Sequence, residues 1–213
     1  MGGCCNPTDY RRLFSREFAA RDARRYRRRG LTGTSRDLVE LAGDVHGATV
    51  LDVGGGIGAI ELELLGAGAA RATNVELSSG YEDAAAELIA ERAVEGRIER
   101  RVEDFVAAEI EPHDVVVMHR VVCCYPDVDE LVGAAADHTR RVLLLTYPQE
   151  RWWMGAGIRA INLWLRLTGC GFRTYAHPVA RMVAAAAAQG LRLEERKPAG
   201  LLWESAVYRR MPV

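Results

Sequence analysis

Between residues 48 and 147, short unbroken apolar runs alternate with longer stretches whose apolar positions recur at helical spacing. ATVLDV (48–53) is one such run, ending in glycines as a strand buried on both faces does. The stretch from Gly58 to Gly66 carries Ile60, Leu62, Leu64 and Leu65 and predicts the first helix after it. RATNVEL (71–77) predicts a second strand. Residues 79–96 open on a serine cap, close on Gly96 and hold Ala, Leu and Ile at helical spacing, so a helix is expected throughout. RIERRV (97–102) reads as a third, more exposed strand, and the valine run of HDVVVMH (113–119) as a fourth at the sheet centre. Residues 126–137 predict a helix and RRVLLLTY (140–147) the fifth strand. Alternation at this pitch implies right-handed βαβ units: an α/β fold with a mostly parallel sheet and helices on both faces.

The flanks read differently. Residues 149–175 are rich in Trp, Arg and Gly and look like an insertion over the carboxyl edge of the sheet. Residues 178–190 predict a helix, followed by LRLEERKP and LLWESAVYRR as two closing strands. Ahead of the sheet, Tyr10, Leu13, Phe14 and Phe18 share one helical face with arginines around it. No internal repeat or linker divides the chain. The 213 residues are therefore expected to form one domain, with a helical lid over 1–45 and a substrate cap over 148–177.

Composition narrows the partners. Apolar residues make up 49% of the chain, which fits a packed globule rather than a disordered one. The net charge of −1 provides no global attraction to nucleic acid or an anionic membrane. Nine arginines crowd residues 10–30, whereas Lys197 is the only lysine; the arginine bias fits a GC-rich genome. A basic helical face can bind a ligand carboxylate, RNA phosphate or anionic lipid. Lid and anionic-substrate contact are favoured, and nucleic acid is not expected. MGGCCNP lacks a secretory pattern, and Pro7 breaks the myristoylation one. No apolar run reaches the length of a membrane span, so a cytoplasmic protein is expected, with homodimerisation open. The cysteines form two adjacent pairs, Cys4–Cys5 and Cys123–Cys124, plus Cys170. That spacing suits reduced thiols rather than structural zinc, and no metal site is expected.

The candidate site lies where open α/β sheets bind ligands, outside the carboxyl ends of the strands. In VLDVGGGIGA, Gly54, Gly55, Gly56 and Gly58 let a turn approach a ligand closely. Gly54-x-Gly56-x-x-Ala59 also satisfies the dinucleotide fingerprint, which keeps a nicotinamide-dependent oxidoreductase open. Asp52 argues the other way, because a carboxylate at the lip of the loop repels a pyrophosphate. It favours an amino group and a sulfonium, both of which S-adenosylmethionine carries. Glu76, at the end of the second strand, suits bidentate acceptance from ribose hydroxyls, with Leu77 beside it. Asp104 can accept from an adenine amino group while Phe105 packs on the ring.

VLDVGGGIG, the acid of NVEL and the EDF segment resemble motifs I to III of class I S-adenosylmethionine-dependent methyltransferases over residues 45–147. The resemblance implies a Rossmann-like seven-stranded sheet with its last strand antiparallel. It also implies cofactor contacts at Asp52, Gly54, Gly56, Glu76 and Asp104, and a methyl-transfer cleft lined by the segment from His119 to Val122. HRVVCCYPD (119–127), LLTYP and FRTYAHP are further similar to magnesium-protoporphyrin O-methyltransferases, although the N-terminal region departs from them.

Methyl transfer from a sulfonium asks mainly for alignment, an effect worth roughly 7–11 kcal/mol. A general base adds about 10²–10⁴-fold only where the acceptor must lose a proton. His119 is the candidate base, or else an orienting and cofactor-contacting residue. Arg120 suits a substrate carboxylate, and Tyr26 and Arg29 are expected near a ligand carboxylate. Tyr125, Tyr147, Trp153 and His177 complete the expected substrate set. The expected acceptor is a small molecule with an O, N or S nucleophile; a porphyrin carboxylate and a thiolate-bound metalloid are specific alternatives. A non-catalytic cofactor-binding protein is the remaining reading.

Overall fold

The computed structural model describes Tyr10 and residues 12–211. Its seven strands are β1 (Thr49–Val53), β2 (Arg71–Glu76), β3 (Ile98–Val102), β4 (His113–His119), β5 (Thr139–Pro148), β6 (Leu191–Ala199) and β7 (Trp203–Arg210). They lie in the order β3-β2-β1-β4-β5-β7-β6. β4 is central, and Val115, Val116, Val117 and Met118 are fully buried, as their unbroken apolar run requires. The pairs from β3 across to β5 are parallel. β7 runs antiparallel between β5 and β6 and closes the sheet. The chain builds outward from β1 to β3 and then returns to β4, so the strand order reverses between β1 and β4. That reversal opens a crevice beyond Val53 and His119.

Helices dress the sheet on both faces: α1 (Arg16–Arg29), α2 (Thr34–Ala42), α3 (Ala59–Gly66), α4 (Glu82–Arg92), α5 (Val128–Asp137), α6 (Trp152–Leu167) and α7 (Val179–Ala188). On one face Leu51, Met118, Leu143 and Leu145 pack with Val132 of α5 and Met182 of α7. On the other, Val50, Val117 and Leu144 pack with Leu38 of α2 and Leu64 of α3. Each such fully buried Val or Leu contributes about 1.5–3 kcal/mol. A peripheral cluster joins Ala19, Ala23 and Tyr26 of α1 to Ile57, Tyr81 and Leu88.

Three boundaries differ from expectation. The aromatic face at Tyr10–Phe18 is not one helix, because Ser15 adopts extended backbone and its Oγ accepts from the Phe18 N–H, starting α1 afresh. α4 stops at Arg92 instead of running to Gly96, since Ala93 takes the left-handed conformation and a short 3₁₀ turn follows. The segment expected to cap the sheet is mostly the single helix α6.

Candidate active site

The β1–α3 turn forms the floor of the crevice. Gly54 has φ +63°, and a Cβ there would lie 2.5 Å from Val121 Cγ2. At Gly55 the obstacle is space: a Cβ would lie 2.2 Å from Asn74 Nδ2 and 2.7 Å from Asp52 Cγ. Glu76 ties this turn to β2. Its Oε2 accepts the Gly56 N–H at 3.0 Å and its Oε1 the Ser78 N–H at 2.9 Å. Each oxygen keeps a second lone pair for a ligand donor. Burial raises the Glu76 pKa despite these bonds.

Beneath the turn lies a buried polar row that the sequence did not disclose. Asp52, Asn74 and Arg100 are register partners on three neighbouring strands, and Glu61 of α3 covers them. Asn74 Nδ2 donates to Glu61 Oε2 at 2.9 Å, and Arg100 Nη1 lies 3.6 Å from Glu61 Oε1. Arg100 also donates to the Gly56 carbonyl at 2.9 Å and to Glu82 at 2.8 Å, so it holds the glycine turn from below. Burial raises the Glu61 pKa to about 7, against the pull of Arg100. Burial, then Glu61, raises that of Asp52 well above the carboxylate range. Both Asp52 oxygens are buried without a hydrogen-bond partner. An orphaned carboxylate at the edge of a cradle without Cβ atoms fits a ligand that brings an ammonium or sulfonium charge.

A cavity of about 430 Å³ opens above this floor. Asp52, Glu76 and the glycine turn line one side; Phe14 and, from α1, Phe18, Arg21 and Arg25 line another; His119 and Arg120 close it. A smaller cavity of about 50 Å³ continues past Glu76 between Leu77, Asp104, Phe105 and Tyr125. Phe105 is buried and meets His138 edge-on at 5.6 Å. Asp104 accepts the Val106 N–H at 3.2 Å, capping a 3₁₀ turn as well as lining this space.

His119 Nε2 lies 2.9 Å from Thr34 Oγ1. Burial, then Arg120 and Arg25, lowers its pKa to about 3, so the imidazole is neutral at physiological pH and a weak base. Arg120 has φ +61°, held by its N–H donating to Thr146 Oγ1 at 2.7 Å. Its guanidinium lies 4.6 Å from the Trp203 ring centroid and donates to Thr34 at 3.3 Å, a neutral pair of contacts that leaves its charge for an anion. Partial burial and then Arg25 lower its pKa.

The other expected substrate residues are spread more widely. Tyr26 borders the large cavity, but its hydroxyl donates to Glu63 at 2.5 Å and receives Arg92 at 2.8 Å. Arg29 ends α1, exposed and outside the lining. Tyr147 is buried in the core, 3.3 Å from Glu204. Trp153 sits on α6, which lines neither cavity. His177 Nε2 bonds the Tyr125 carbonyl at 2.8 Å and so braces the loop after β4. Cys124 lines both cavities, with its sulfur 3.7 Å from that of buried Cys123. Cys4 and Cys5, the other half of the metalloid idea, lie outside the described residues. Among the described residues, no three His, Cys, Asp or Glu side chains gather as a metal site.

Residues 19–195 match a family described as a methyltransferase domain, well over half of the chain. The chain belongs to the methyltransferase-domain family. S-adenosylmethionine is its cofactor. The match supports a methyltransferase over the nicotinamide reading of Gly54–Ala59.

No curated protein matches the sequence of this methyltransferase. Among solved structures, it is similar to magnesium protoporphyrin IX methyltransferase from Synechocystis PCC 6803 with bound S-adenosylhomocysteine (SAH). Identity is 19%, coverage 84% of this chain and 82% of that one, and the TM-score 0.69. The same protein with bound S-adenosylmethionine gives 16% identity, 96% and 90% coverage and a TM-score of 0.65. Geranyl diphosphate C-methyltransferase from Streptomyces coelicolor A3(2) gives 14%, 83% and 76%, and 0.66. Likeness at these identities concerns the fold.

Proposed function

We infer that the methyltransferase methylates a small molecule carrying an anionic group, with a carboxylate as the acceptor favoured over a neutral nucleophile. When bound, S-adenosylmethionine supplies a methyl group on a sulfonium, an already activated leaving group. Asp52 faces the ammonium end of the methyl donor, and its orphaned oxygens support that role. Glu76 accepts from the ribose hydroxyls with the lone pairs its backbone partners leave free. Leu77, Asp104 and Phe105 receive the adenine in the smaller cavity. Gly54, Gly55 and Gly56 keep that part of the turn clear of side chains. α1, with Tyr10 and Phe14 ahead of it, acts as the lid, excluding water from the larger cavity.

The observation that carries the acceptor assignment is the company His119 keeps. A carboxylate needs no base, and the histidine beside the cleft has a pKa of about 3 and is hydrogen-bonded to Thr34. Arg25 and Arg120 border the same space and hold an acceptor in its ionised, nucleophilic form. His119 then orients the cleft wall rather than moving a proton. A tetrapyrrole with carboxylate side chains, the kind of substrate named for one structural neighbour, is a member of this class.

Two measurements test the reading. Titration calorimetry with SAH should give binding to the wild type that weakens about 10–100-fold in Glu76→Ala, the worth of one or two charge-assisted hydrogen bonds; NAD, as control, should not bind. A screen of carboxylate-bearing acceptors, read as SAH production, should give turnover that Arg120→Ala reduces through KM. Turnover confined to neutral amines, thiols or phenols would overturn the carboxylate assignment.

A further inference from the structure

α6 turns its apolar side to solvent. Successive residues step about 100° around a helix. Met154, Ile158 and the buried Leu165 therefore face the body of the protein. The opposite side carries Trp152, Ala156, Ala160, Leu163, Trp164 and Leu167, every one exposed, Trp152 at 90% and Leu167 at 77%. An ordinary surface helix puts polar residues there. The only charges on α6 are Arg159 and Arg166, along one edge of the apolar strip, with Arg151 just ahead of it; the helix contains no acid.

A second apolar feature adjoins it. Leu201 and Leu202, 73% and 50% exposed, form the turn between β6 and β7. Gln149 ties that turn to the segment entering α6. Its N–H donates to the Leu202 carbonyl at 2.9 Å, and its Nε2 donates to those of Gly200 at 3.0 Å and Trp203 at 2.8 Å. The turn follows the carboxyl end of β6 and α6 follows that of β5, so both lie at the edge of the sheet where the cleft opens. The helix is firmly mounted. Asn162 bonds both the carbonyl and the N–H of Thr174, whose hydroxyl donates to the Cys123 carbonyl in the loop after β4.

We propose that α6 and the Leu201–Leu202 turn dock the methyltransferase on an anionic lipid surface. Trp and Leu on one strip with arginines along its edge is the composition of a helix that lies in the headgroup layer. No described helix is long and apolar enough to cross a membrane, so the contact is a surface one. A second copy fits less well. Two copies pairing antiparallel through α6 about a twofold axis at its midpoint would bring Arg159 against its own counterpart. The chain's balanced net charge does not oppose docking, because a bilayer senses charge only within about 10 Å at ordinary salt.

The test is flotation of the full chain with phosphatidylcholine vesicles, with and without phosphatidylglycerol. Two double variants accompany it: Trp152→Glu with Trp164→Glu, and Arg159→Ser with Arg166→Ser. All four positions are exposed, and unchanged SAH binding verifies the fold of each variant. The wild type should float with phosphatidylglycerol vesicles and much less at high salt. The arginine variant should partition about 25-fold more weakly, at about fivefold per arginine. The tryptophan variant should lose at least about tenfold. Absence of wild-type flotation, or flotation that survives both variants, overturns the proposal. So does a dimer, seen by light scattering, that the tryptophan variant dissolves while vesicles fail to bind. None of these readouts needs an acceptor, so their failure is separate from failure of the carboxylate assignment.

Discussion

Glu61 is fully buried under the glycine turn, and its carboxyl pKa rises from 4.5 to about 7. The native state thus holds this proton more tightly than the unfolded chain does. Stability from this group is fully present below pH 4.5 and is lost as pH climbs through about 7. At 1.36 kcal/mol per unit, ionising Glu61 in place costs about 3 kcal/mol. Glu61→Gln keeps an acceptor for Asn74 Nδ2 and removes the titration, while Arg100 retains Glu82 and the Gly56 carbonyl. Urea unfolding of the cofactor-free protein should therefore find the variant more stable on the alkaline side of 7, by up to about 3 kcal/mol. Below pH 4.5 the gain should vanish. A variant less stable than wild type at alkaline pH would refute the argument, because Arg100 would then be repaying the whole cost of burying the charge.

Gly55→Ala forces a Cβ to within 2.2 Å of Asn74 Nδ2. It should cost roughly 1–3 kcal/mol in urea unfolding and weaken SAH binding with it. The His119 imidazole, with its pKa lowered to about 3, should remain neutral across the physiological range, and an NMR titration of its ring protons that inflects near 6.5 would contradict its burial. Tyr147→Phe removes a 3.3 Å bond to Glu204 inside the core. It should lower stability by about 1 kcal/mol and leave SAH affinity unchanged in calorimetry; a drop in affinity would mean the residue reaches the site after all.

The central sheet was legible because its signals are local. An unbroken valine run requires burial on both faces, and HDVVVMH became β4 without a shifted end. The glycine turn was equally plain. The row of Asp52, Asn74 and Arg100 was not, because it exists only through strand register, and three polar residues spaced far apart in sequence do not announce that they are neighbours. A signal was nonetheless present: Asn74 interrupts an interior strand, and Glu61 falls among the apolar residues of α3. Residue chemistry alone also overreached on the substrate side. Tyr147 belongs to the expected substrate set, yet β5 runs on to Pro148 and pairs with β7, which turns that side chain into the core. Trp153 belongs to a long helix that its own periodicity does not announce, and His177, just ahead of a helix, is placed by its bond to the Tyr125 carbonyl.

The connection between α1 and α2 divides the N-terminal region into parts with different evolutionary freedom. Gly30 and Gly33, both with positive φ, bracket that connection. Upstream of it, α1 supplies arginines to the cleft wall and packs Phe18, Ala19, Ala23 and Tyr26 into a peripheral cluster rather than either main core. Downstream, α2 gives Leu38 and Ala42 to the core beneath β1 and β4, and Thr34 to both His119 and Arg120. Sequence ahead of Gly30 can therefore drift, or be grafted from a relative, to change which acceptor is received while the fold persists. Exchange of α1 is an experiment in specificity, and exchange of α2 is an experiment in folding.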